Sequence, residues 1–258
     1  MSTFNHKNGQ YLQVNGANIY YEERGHPDKP VLLLLHGGFG DIEDLNSMLS
    51  YLTDDFRIIG IDSRGHGKST LGNEPLTYAQ IQSDVEAMLT QLKISRLSII
   101  GFSDGGIVGY RMAASKKITV EKLITMGSSW CNQDVAEAEE ILKTITSEGA
   151  KEIFSSNFER YQQINPEANF EIFTQSVVTM WLDRTETGHP DDQVKEIDAK
   201  VLLIRGENDF LVSLNSLVAL KEHLKEASFM NVPFAEHVVY DDQPQVVESI
   251  VKQFLEVG

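Results

Sequence analysis

The feature of the sequence that most constrains the fold is a set of short runs that are apolar almost throughout. Three of them read VLLLL at residues 31–35, LSII at residues 97–100 and VLLI at residues 201–204. A strand with one face in solvent alternates apolar and polar residues, whereas a strand buried on both faces is apolar at nearly every position. The runs therefore predict an α/β fold, in which a central, mostly parallel sheet is covered by helices on both faces.

Strands and helices are predicted to alternate along most of the chain. Apolar and β-branched runs predict eight strands, at Tyr11–Val14, Ile19–Glu23, Val31–His36, Arg57–Ile61, Leu97–Gly101, Lys122–Gly127, Val201–Gly206 and Ala227–Val232. A period near 3.6 residues predicts helices at Asp41–Leu52, Thr77–Leu92, Gly106–Lys116, Ser213–Leu224 and Gln243–Leu255. The turn dipeptide Asn15-Gly16 joins the first two strands, which are therefore predicted to form a hairpin at the sheet edge.

One long segment interrupts this alternation. Residues 129–195 show the three- and four-residue spacing of helices and no convincing strand. We therefore predict a core made of residues 1–128 and 196–258 and a helical insertion at residues 129–195. An insertion at this point would lie above the carboxyl ends of the strands, where open α/β sheets bind ligands. Its aromatic residues fit either a packed core or an apolar acyl pocket, and they include Phe154, Phe158, Phe170, Phe173 and Trp181.

Net charge and cysteine content argue against nucleic acid or membrane partners and against a disulfide within the chain. The 258-residue chain carries a formal charge of −16, which disfavours binding to nucleic acid phosphates and to anionic membranes. The single cysteine, Cys131, rules out an intrachain disulfide. The polar residues 1–10 contain no signal-peptide core, and no apolar run is long enough to span a bilayer. We therefore expect a cytoplasmic monomer or homodimer with no nucleic acid and no membrane as partner.

A candidate nucleophile lies where the fifth predicted strand ends. The segment Gly101-Phe102-Ser103-Asp104-Gly105-Gly106 joins this strand to a predicted helix. A serine on such a sharp turn has a strained backbone that needs small neighbours, which explains glycine two residues before and two after it. We interpret Ser103 as the nucleophile; the alternative is a structural tight turn.

A serine nucleophile needs a base and an acid that orients the base. His237 lies in the loop between the last predicted strand and the last helix, at the sheet edge where Ser103 is expected. Asp209 follows the next-to-last strand at the same edge and is the predicted acid. Glu207 is the nearby alternative, since no acid directly follows the sixth strand.

A glycine-rich turn follows the third predicted strand, at His36-Gly37-Gly38-Phe39-Gly40. Backbone N–H groups in such a turn can stabilise the oxyanion of an acyl-transfer reaction. We assign the oxyanion hole to the N–H groups of Gly38 and Asp104, with Phe39 as the alternative to Gly38. The predicted substrate pocket contains Phe39, Asp104 and Trp181.

Together these segments resemble the α/β-hydrolase superfamily over essentially the whole chain. They are HGGFG at residues 36–40, DSRGHGKS at 62–69, GFSDGG at 101–106, GENDFLVS at 206–213 and AEH at 235–237. The resemblance implies an α/β-hydrolase fold with a helical lid, and the order Ser103, Asp209, His237 is that of the family. It also implies a structural role for residues 62–69, which leaves Asp62 and His66 outside the catalytic set.

An acid directly after the nucleophile is similar to the arrangement in amino-acid-ester hydrolases of this superfamily. There the acid binds the amino group of the substrate, so Asp104 is a candidate for that role. The alternative is that Asp104 contributes its N–H while its side chain hydrogen-bonds to nearby backbone.

The predicted function is hydrolysis of a small-molecule carboxylic ester or lactone through an acyl-enzyme on Ser103. This mechanism needs no metal or organic cofactor, and none is expected; the absence of CxxC, HExxH and GxGxxG patterns from the sequence agrees with this. Amide, thioester and carbon–carbon bond hydrolysis and cofactor-free perhydrolase or lyase activity remain open, because they use the same triad. The alternative from another class is a small-molecule receptor with an intact triad and little turnover.

Overall fold

A single eight-stranded sheet forms the centre of the computed structural model, which describes residues 3–256. Its strands are β1 (Gln10–Val14), β2 (Ala17–Gly25), β3 (Val31–Leu35), β4 (Arg57–Ile61), β5 (Arg96–Phe102), β6 (Thr119–Met126), β7 (Lys200–Gly206) and β8 (Ala227–Val232). Their order is β1-β2-β4-β3-β5-β6-β7-β8. Only the pairs that involve β2 are antiparallel within this sheet. The predicted mostly parallel sheet and its edge hairpin are confirmed.

Helices occupy the connections between the strands. They are α1 (Asn46–Leu49), α2 (Tyr78–Gln91), α3 (Asp104–Ser115), α4 (Asn132–Leu142), α5 (Ser147–Ile153), α6 (Ser155–Ile164), α7 (Phe170–Trp181), α8 (Leu214–His223), α9 (Val239–Asp242) and α10 (Pro244–Leu255). Two 3-10 helices cover Ile42–Leu45 and Asp191–Glu196. Within residues 3–256, no helix combines the length and apolar character that crossing a membrane requires.

The apolar strands are buried on both faces of the sheet. In β3, Leu33 and Leu35 belong to a core that includes residues of α2, α3 and α8. Leu32 and Leu34 face the opposite core, with residues of α1, α9 and α10. Burying a leucine side chain contributes about 2 kcal/mol, so a leucine is favoured at each of these consecutive positions. The prediction of helices on both faces is thereby confirmed.

The elements next to the site differ in detail from the predictions. The helix expected at Asp41–Leu52 is a 3-10 turn followed by the short α1. The Asp41 side chain accepts from the N–H of Glu43 at 2.8 Å, which caps the tight turn, and the chain turns again after Leu49. α3 begins at Asp104, two residues earlier than expected, so the helix starts directly after Ser103. The four-residue α9 was not predicted, because it is too short to show a period.

Residues 129–195 contain α4 to α7 and all but the last residue of the second 3-10 helix. Arg160 of α6 forms ion pairs with Asp41 and Asp44, which follow the glycine-rich turn after β3. The amide of Asn165 donates to two carbonyl groups of the loop after β4, at 2.9 and 3.0 Å. α6 is therefore tied to loops that follow two central strands. The division into core and insertion stays a prediction.

Candidate active site

Ser103 lies on the sharp turn between β5 and α3. Its φ of 49° and ψ of −118° form a strained combination for a residue with a side chain. A Cβ atom on Gly105 would lie 2.2 Å from the carbonyl oxygen of Leu35, and one on Gly101 would lie 2.5 Å from that of Gly105. These distances are too short for any side chain, so the two glycines permit the turn. The predicted physical reason for the Gly-x-Ser-x-Gly spacing agrees with this geometry.

The structure brings the three predicted triad side chains together. Nε2 of His237 lies 3.1 Å from Oγ of Ser103, and Nδ1 of His237 lies 3.0 Å from Oδ2 of Asp209. Burial opposes ionisation of Asp209, but its hydrogen bond and electrostatic interaction with His237 keep the pKa of Asp209 below its ordinary value. An ionised Asp209 holds the proton on Nδ1 and leaves Nε2 free to accept from Ser103.

The loop that carries Asp209 is held by hydrogen bonds at several points. Oδ1 of Asp209 accepts from the N–H groups of Leu211 and Val212, at 2.9 and 3.2 Å. The buried guanidinium of Arg205 donates to the carbonyl oxygens of Asp209 and Val212. Glu207, the alternative acid, is exposed and accepts from the N–H of Phe234. The geometry therefore favours Asp209 as the partner of His237.

The candidate oxyanion donors are backbone N–H groups from the turn after β3 and from the start of α3. Phe39 has a φ of 58°, and the N–H of Gly40 donates to the carbonyl oxygen of Gly37 at 3.2 Å. Within residues 3–256, the N–H groups of Gly38, Phe39 and Asp104 donate to no other group of the protein. All three are therefore available to an oxyanion, and both Gly38 and Phe39 stay candidates for the first donor.

The carboxylate of Asp104 is buried and accepts hydrogen bonds from two side chains. It accepts from the hydroxyl of Tyr78 at 2.8 Å and from Nε1 of Trp181 at 2.8 and 3.0 Å. Burial raises the pKa of Asp104, although the hydrogen bonds from Trp181 and Tyr78 act in the opposite direction. The alternative given above, in which this side chain hydrogen-bonds to nearby backbone, is therefore not what the structure shows. Its partners come from α2 and α7, and they connect the residue after the nucleophile to the helical segment.

Ser103 and His237 open onto a cavity of about 230 Å³. Asp104 and Trp181 lie on its wall, as predicted for a substrate pocket. Most of the lining surface is apolar, and its largest aliphatic group comes from α4, α5 and the residues between them: Val135, Ala138, Ile141, Leu142, Ile145 and Ile153. The aliphatic wall makes the cavity suitable for an apolar group attached to the reacting carbonyl.

Phe39 does not line this cavity, which corrects its assignment to the substrate pocket. Its positive φ directs the ring into an aromatic cluster of the helical segment, where it stacks on Phe154 at 4.9 Å. Of the aromatic residues predicted for an acyl pocket, Phe154 and Trp181 reach the cavity. The other three, Phe158, Phe170 and Phe173, pack against neighbouring rings instead.

The loop at residues 62–69 has structural contacts. Asp62 is buried and accepts from the N–H groups of Ile42 and Lys68, at 3.0 and 2.7 Å, and from His6 at 2.9 Å. His66 is also buried, and burial, with a smaller effect of neighbouring His36, lowers the pKa of His66 to about 3. Neither side chain hydrogen-bonds to a member of the triad in the described chain, in keeping with their exclusion from the catalytic set.

His6, Asp41 and Asp62 also form a buried cluster whose possible ligand atoms lie within 4.8 Å of one another. Burial alone would lower the pKa of His6, but hydrogen bonds and charges from the neighbouring acids raise it to about 9. A protonated His6 therefore supplies the positive charge that the two carboxylates need.

Three contacts of the site involve residues that the sequence analysis did not single out. Tyr78 binds Asp104, and Arg160 binds the acids after the glycine-rich turn. Ser129 and His189 lie on the cavity wall, with Oγ of Ser129 at 2.9 Å from Nε2 of His189. The available signal for the last pair was a histidine within the insertion and a serine two residues after the sixth predicted strand.

Comparisons with known proteins agree with this fold. The model of the alpha/beta hydrolase fold family matches residues 30–158. A proline iminopeptidase of Pestalotiopsis fici, PfmaB, is 23% identical over 96% of this chain and 99% of its own. The 3-oxoadipate enol-lactonase 2 of Acinetobacter baylyi is 24% identical, over 94% of this chain and 96% of its own. The crystal structure of a hydrolase from Pseudomonas aeruginosa PA01 superimposes with a TM-score of 0.79, at 24% identity, over 97% of this chain and 99% of that one.

Proposed function

Because the chain belongs to the alpha/beta hydrolase fold family, we propose that it is a serine hydrolase that cleaves a carboxylic ester or lactone of an uncharged small molecule. The observation that carries the proposal is the hydrogen-bonded chain of Ser103, His237 and Asp209, with Ser103 and His237 on the wall of a largely apolar cavity. A relative named as an enol-lactonase supports the reaction type.

Acylation begins at Oγ of Ser103, which attacks the carbonyl carbon of the substrate. Nε2 of His237 takes the hydroxyl proton, and the ionised Asp209 stabilises the imidazolium that forms. The carbonyl oxygen gains a negative charge and accepts from the N–H of Asp104 and from that of Gly38 or Phe39. When the tetrahedral intermediate collapses, the bond to the leaving oxygen breaks, and His237 returns the proton to that oxygen.

Deacylation repeats these steps with water as the nucleophile. His237 takes a proton from the water, whose oxygen attacks the acyl carbon. The bond to Oγ then breaks, His237 returns the proton to Ser103, and the carboxylic acid leaves. For a lactone, the alcohol released in the first half remains attached to the acyl group and leaves with it.

The charges on the cavity wall favour an uncharged substrate. Asp104 and Asp134 line the cavity, and no residue of its described lining is a lysine or arginine. A substrate carboxylate would lose its hydration there without a cationic partner. Tyr78 and Trp181 already donate to the Asp104 carboxylate, which weakens its attraction for a substrate amino group. We therefore rank amino-acid esters below neutral esters and lactones.

The test combines active-site labelling with turnover. A fluorophosphonate is added to the wild type and the site of modification is mapped by mass spectrometry, with Ser103→Ala as the control. Hydrolysis of p-nitrophenyl acetate and butyrate, of a neutral lactone and of L-proline p-nitroanilide is then measured. The wild type is compared with Ser103→Ala, His237→Ala and Asp209→Asn.

We expect labelling at Ser103 and turnover of the esters or the lactone by the wild type. Asp209→Asn should lower kcat by about ten-thousandfold, because an amide cannot hold the required tautomer of His237. A preference for the anilide would redirect the proposal to amide hydrolysis. A wild type that neither labels nor turns over any of the four substrates would overturn the proposal in favour of a small-molecule receptor.

A further inference from the structure

The cavity contains a polar pair that the proposed mechanism does not use. Ser129 follows β6, and His189 lies between α7 and the second 3-10 helix. Both line the cavity, and they are joined by the 2.9 Å contact between Oγ of Ser129 and Nε2 of His189. Buried polar groups normally form hydrogen bonds, so any donor or acceptor of Ser129 or His189 that lacks a partner has to be explained.

The position of the proton in His189 follows from its burial. The ring is only 4% exposed, and its Nδ1 has no hydrogen-bond partner in the described chain. Burial, with a smaller effect of the nearby Arg111 charge, lowers the pKa of His189 to about 4, so the ring is neutral at neutral pH and carries one N–H. An unpaired buried N–H is rarer than an unpaired acceptor. The proton therefore belongs on Nε2, which donates to Oγ of Ser129.

With the proton of His189 on Nε2, the hydroxyl of Ser129 is available to donate a hydrogen bond to a ligand. Within residues 3–256, the one hydrogen-bond partner of Oγ of Ser129 is Nε2 of His189, which donates to it, so the hydroxyl proton has no acceptor there. The side chain is only half-buried, and it faces the cavity. The other polar groups on this wall are engaged: Tyr78 donates to Asp104, and Asp134 accepts from the N–H of Trp130 at 3.0 Å.

We propose that the hydroxyl of Ser129 selects substrates that carry a second, uncharged hydrogen-bond acceptor, such as a ketone or ether oxygen, in addition to the carbonyl that reacts. This specificity rests on the proposed hydrolase function and names a substrate class within it. Ser129 binds the acceptor oxygen, and His189 acts as a positioning residue because it fixes the direction in which the hydroxyl donates. An anionic acceptor is disfavoured by Asp104 and Asp134 on the same wall.

The experiment uses matched pairs of p-nitrophenyl esters. Each pair contains an unbranched alkanoate and its oxo derivative of equal chain length, with the ketone at carbon 4, 5 or 6. The ratio of kcat/KM for the oxo ester to that for the alkanoate is measured for the wild type, Ser129→Ala and Ser129→Thr. Ser228→Ala serves as the control, because Ser228 is exposed on β8 and does not line the cavity.

We expect one oxo position to be preferred by the wild type and Ser228→Ala. Ser129→Ala should lower that ratio by about tenfold, since one neutral hydrogen bond is lost and the ketone enters an apolar cavity unpaired. Ser129→Thr should restore part of the ratio. A wild-type ratio at or below one for every pair would overturn the inference, and so would an unchanged ratio in Ser129→Ala.

Binding without turnover separates this inference from the proposed function. The same pairs are titrated into Ser103→Ala and into Ser103→Ala/Ser129→Ala by calorimetry. Tighter binding of the oxo partner that disappears in the double variant would uphold the inference even for a protein with no hydrolase activity. Equal affinities would contradict it while leaving the hydrolase function intact.

Nitrogen NMR of the histidine rings gives a readout that is independent of ligands. We expect the signals of His189, assigned by comparison with His189→Gln, to show the neutral tautomer with the proton on Nε2. A proton on Nδ1 would mean that Ser129 donates to the ring, and the inference would then be wrong.

Discussion

Gly105 permits the turn at Ser103 because a side chain at this position would have no room. A Cβ atom there would lie 2.2 Å from the carbonyl oxygen of Leu35, and Leu35 belongs to β3 in the centre of the sheet. The main chain of β3 pairs with strands on both sides and cannot move away. The strain at Ser103 is therefore maintained by the packing of a helix start against a strand end.

Gly105→Ala should lower the free energy of unfolding by about 1–3 kcal/mol, as is usual for overpacking of a rigid core. It should also reduce fluorophosphonate labelling of Ser103, because the turn has to shift. The measurements are urea unfolding and the rate of labelling.

Gly149→Ala is the matched control for this substitution. Gly149 lies in α5, and the nearest atom to its added Cβ is Oγ1 of Thr146 at 3.4 Å. Alanine is favoured over glycine inside a helix, so a small gain in stability is expected. Equal urea midpoints for the two variants would show that the turn at Ser103 tolerates a side chain.

Single residues also show what the sequence reveals about the site. The triad positions could be predicted because each one is tied to a local backbone feature at a strand end. The partners of Asp104 could not, because Tyr78 and Trp181 lie 26 and 77 residues away from it. The pocket assignment of Phe39 was wrong for a related reason, since a positive φ at one residue decided which way its ring points.

At the scale of elements, α6 lies against the loops that follow β3 and β4. The guanidinium of Arg160 pairs with Asp41 and Asp44, and Asp41 directly follows the glycine-rich turn that supplies a candidate oxyanion donor. Burial and the neighbouring charges of Asp62 and Asp44 raise the pKa of Asp41 to about 6, although Arg160 acts to lower it. Without Arg160, this buried carboxylate would have lost a main source of compensating charge.

Arg160→Ala should therefore destabilise the protein by about 1–3 kcal/mol. This is less than the loss for breaking a fully buried pair, because the arginine side chain is 24% exposed. Amide hydrogen exchange should become faster in α6, since this helix loses its main polar attachment. Urea unfolding and exchange detected by mass spectrometry check both effects.

The control is Arg184→Ala, which removes an exposed ion pair with Glu139 elsewhere in the helical segment. An exposed pair contributes little, so its loss should change the free energy of unfolding by at most about 0.5 kcal/mol. If exchange in α6 were equally slow in both arginine variants, the attachment of α6 by Arg160 would be refuted.

Elements differ in how well the sequence predicts them. The alternation of strands and helices follows from burial on both faces of the sheet, which leaves a clear apolar pattern. The 3-10 turn at Ile42–Leu45 depends on its side-chain cap, Asp41, and the four-residue α9 is too short to show a period, so neither leaves such a pattern. The docking of α6 depends on the ion pairs of Arg160 with Asp41 and Asp44, which precede it in the chain by 119 and 116 positions. No local sequence pattern encodes contacts over such separations.

At the scale of the whole molecule, the formal charge of −16 makes the buried, positively charged His6 important for stability. His6 is 3% exposed and hydrogen-bonds to Glu43 and Asp62, at 2.7 and 2.9 Å. It ties the N-terminal segment to the loops after β3 and β4. Because burial alone would lower the pKa of His6, the rise to about 9 reflects the hydrogen bonds and charges of these acids and of Asp41.

The raised pKa of His6 predicts a loss of stability at alkaline pH. A group whose pKa rises on folding stabilises the protein fully below its unfolded pKa, here 6.5, and the effect is lost as the pH rises through the folded value of about 9. The shift corresponds to about 3 kcal/mol. The free energy of unfolding should therefore fall by about this amount between pH 6.5 and 10, as measured by urea unfolding at intermediate pH values.

Self-repulsion of an acidic protein also increases with pH, so the wild-type slope alone does not identify His6. His6→Gln has no proton to lose in this range and should show a smaller fall, with a lower stability at pH 7 that approaches the wild-type value near pH 10. Asp41 has a pKa of about 6, so most of its effect on the free energy of unfolding is complete below pH 6.5 and adds little to the fall between pH 6.5 and 10. His26→Gln, on an exposed loop, should keep the wild-type slope. Parallel curves for His6→Gln and the wild type would assign the alkaline loss to general repulsion instead of to the buried imidazolium.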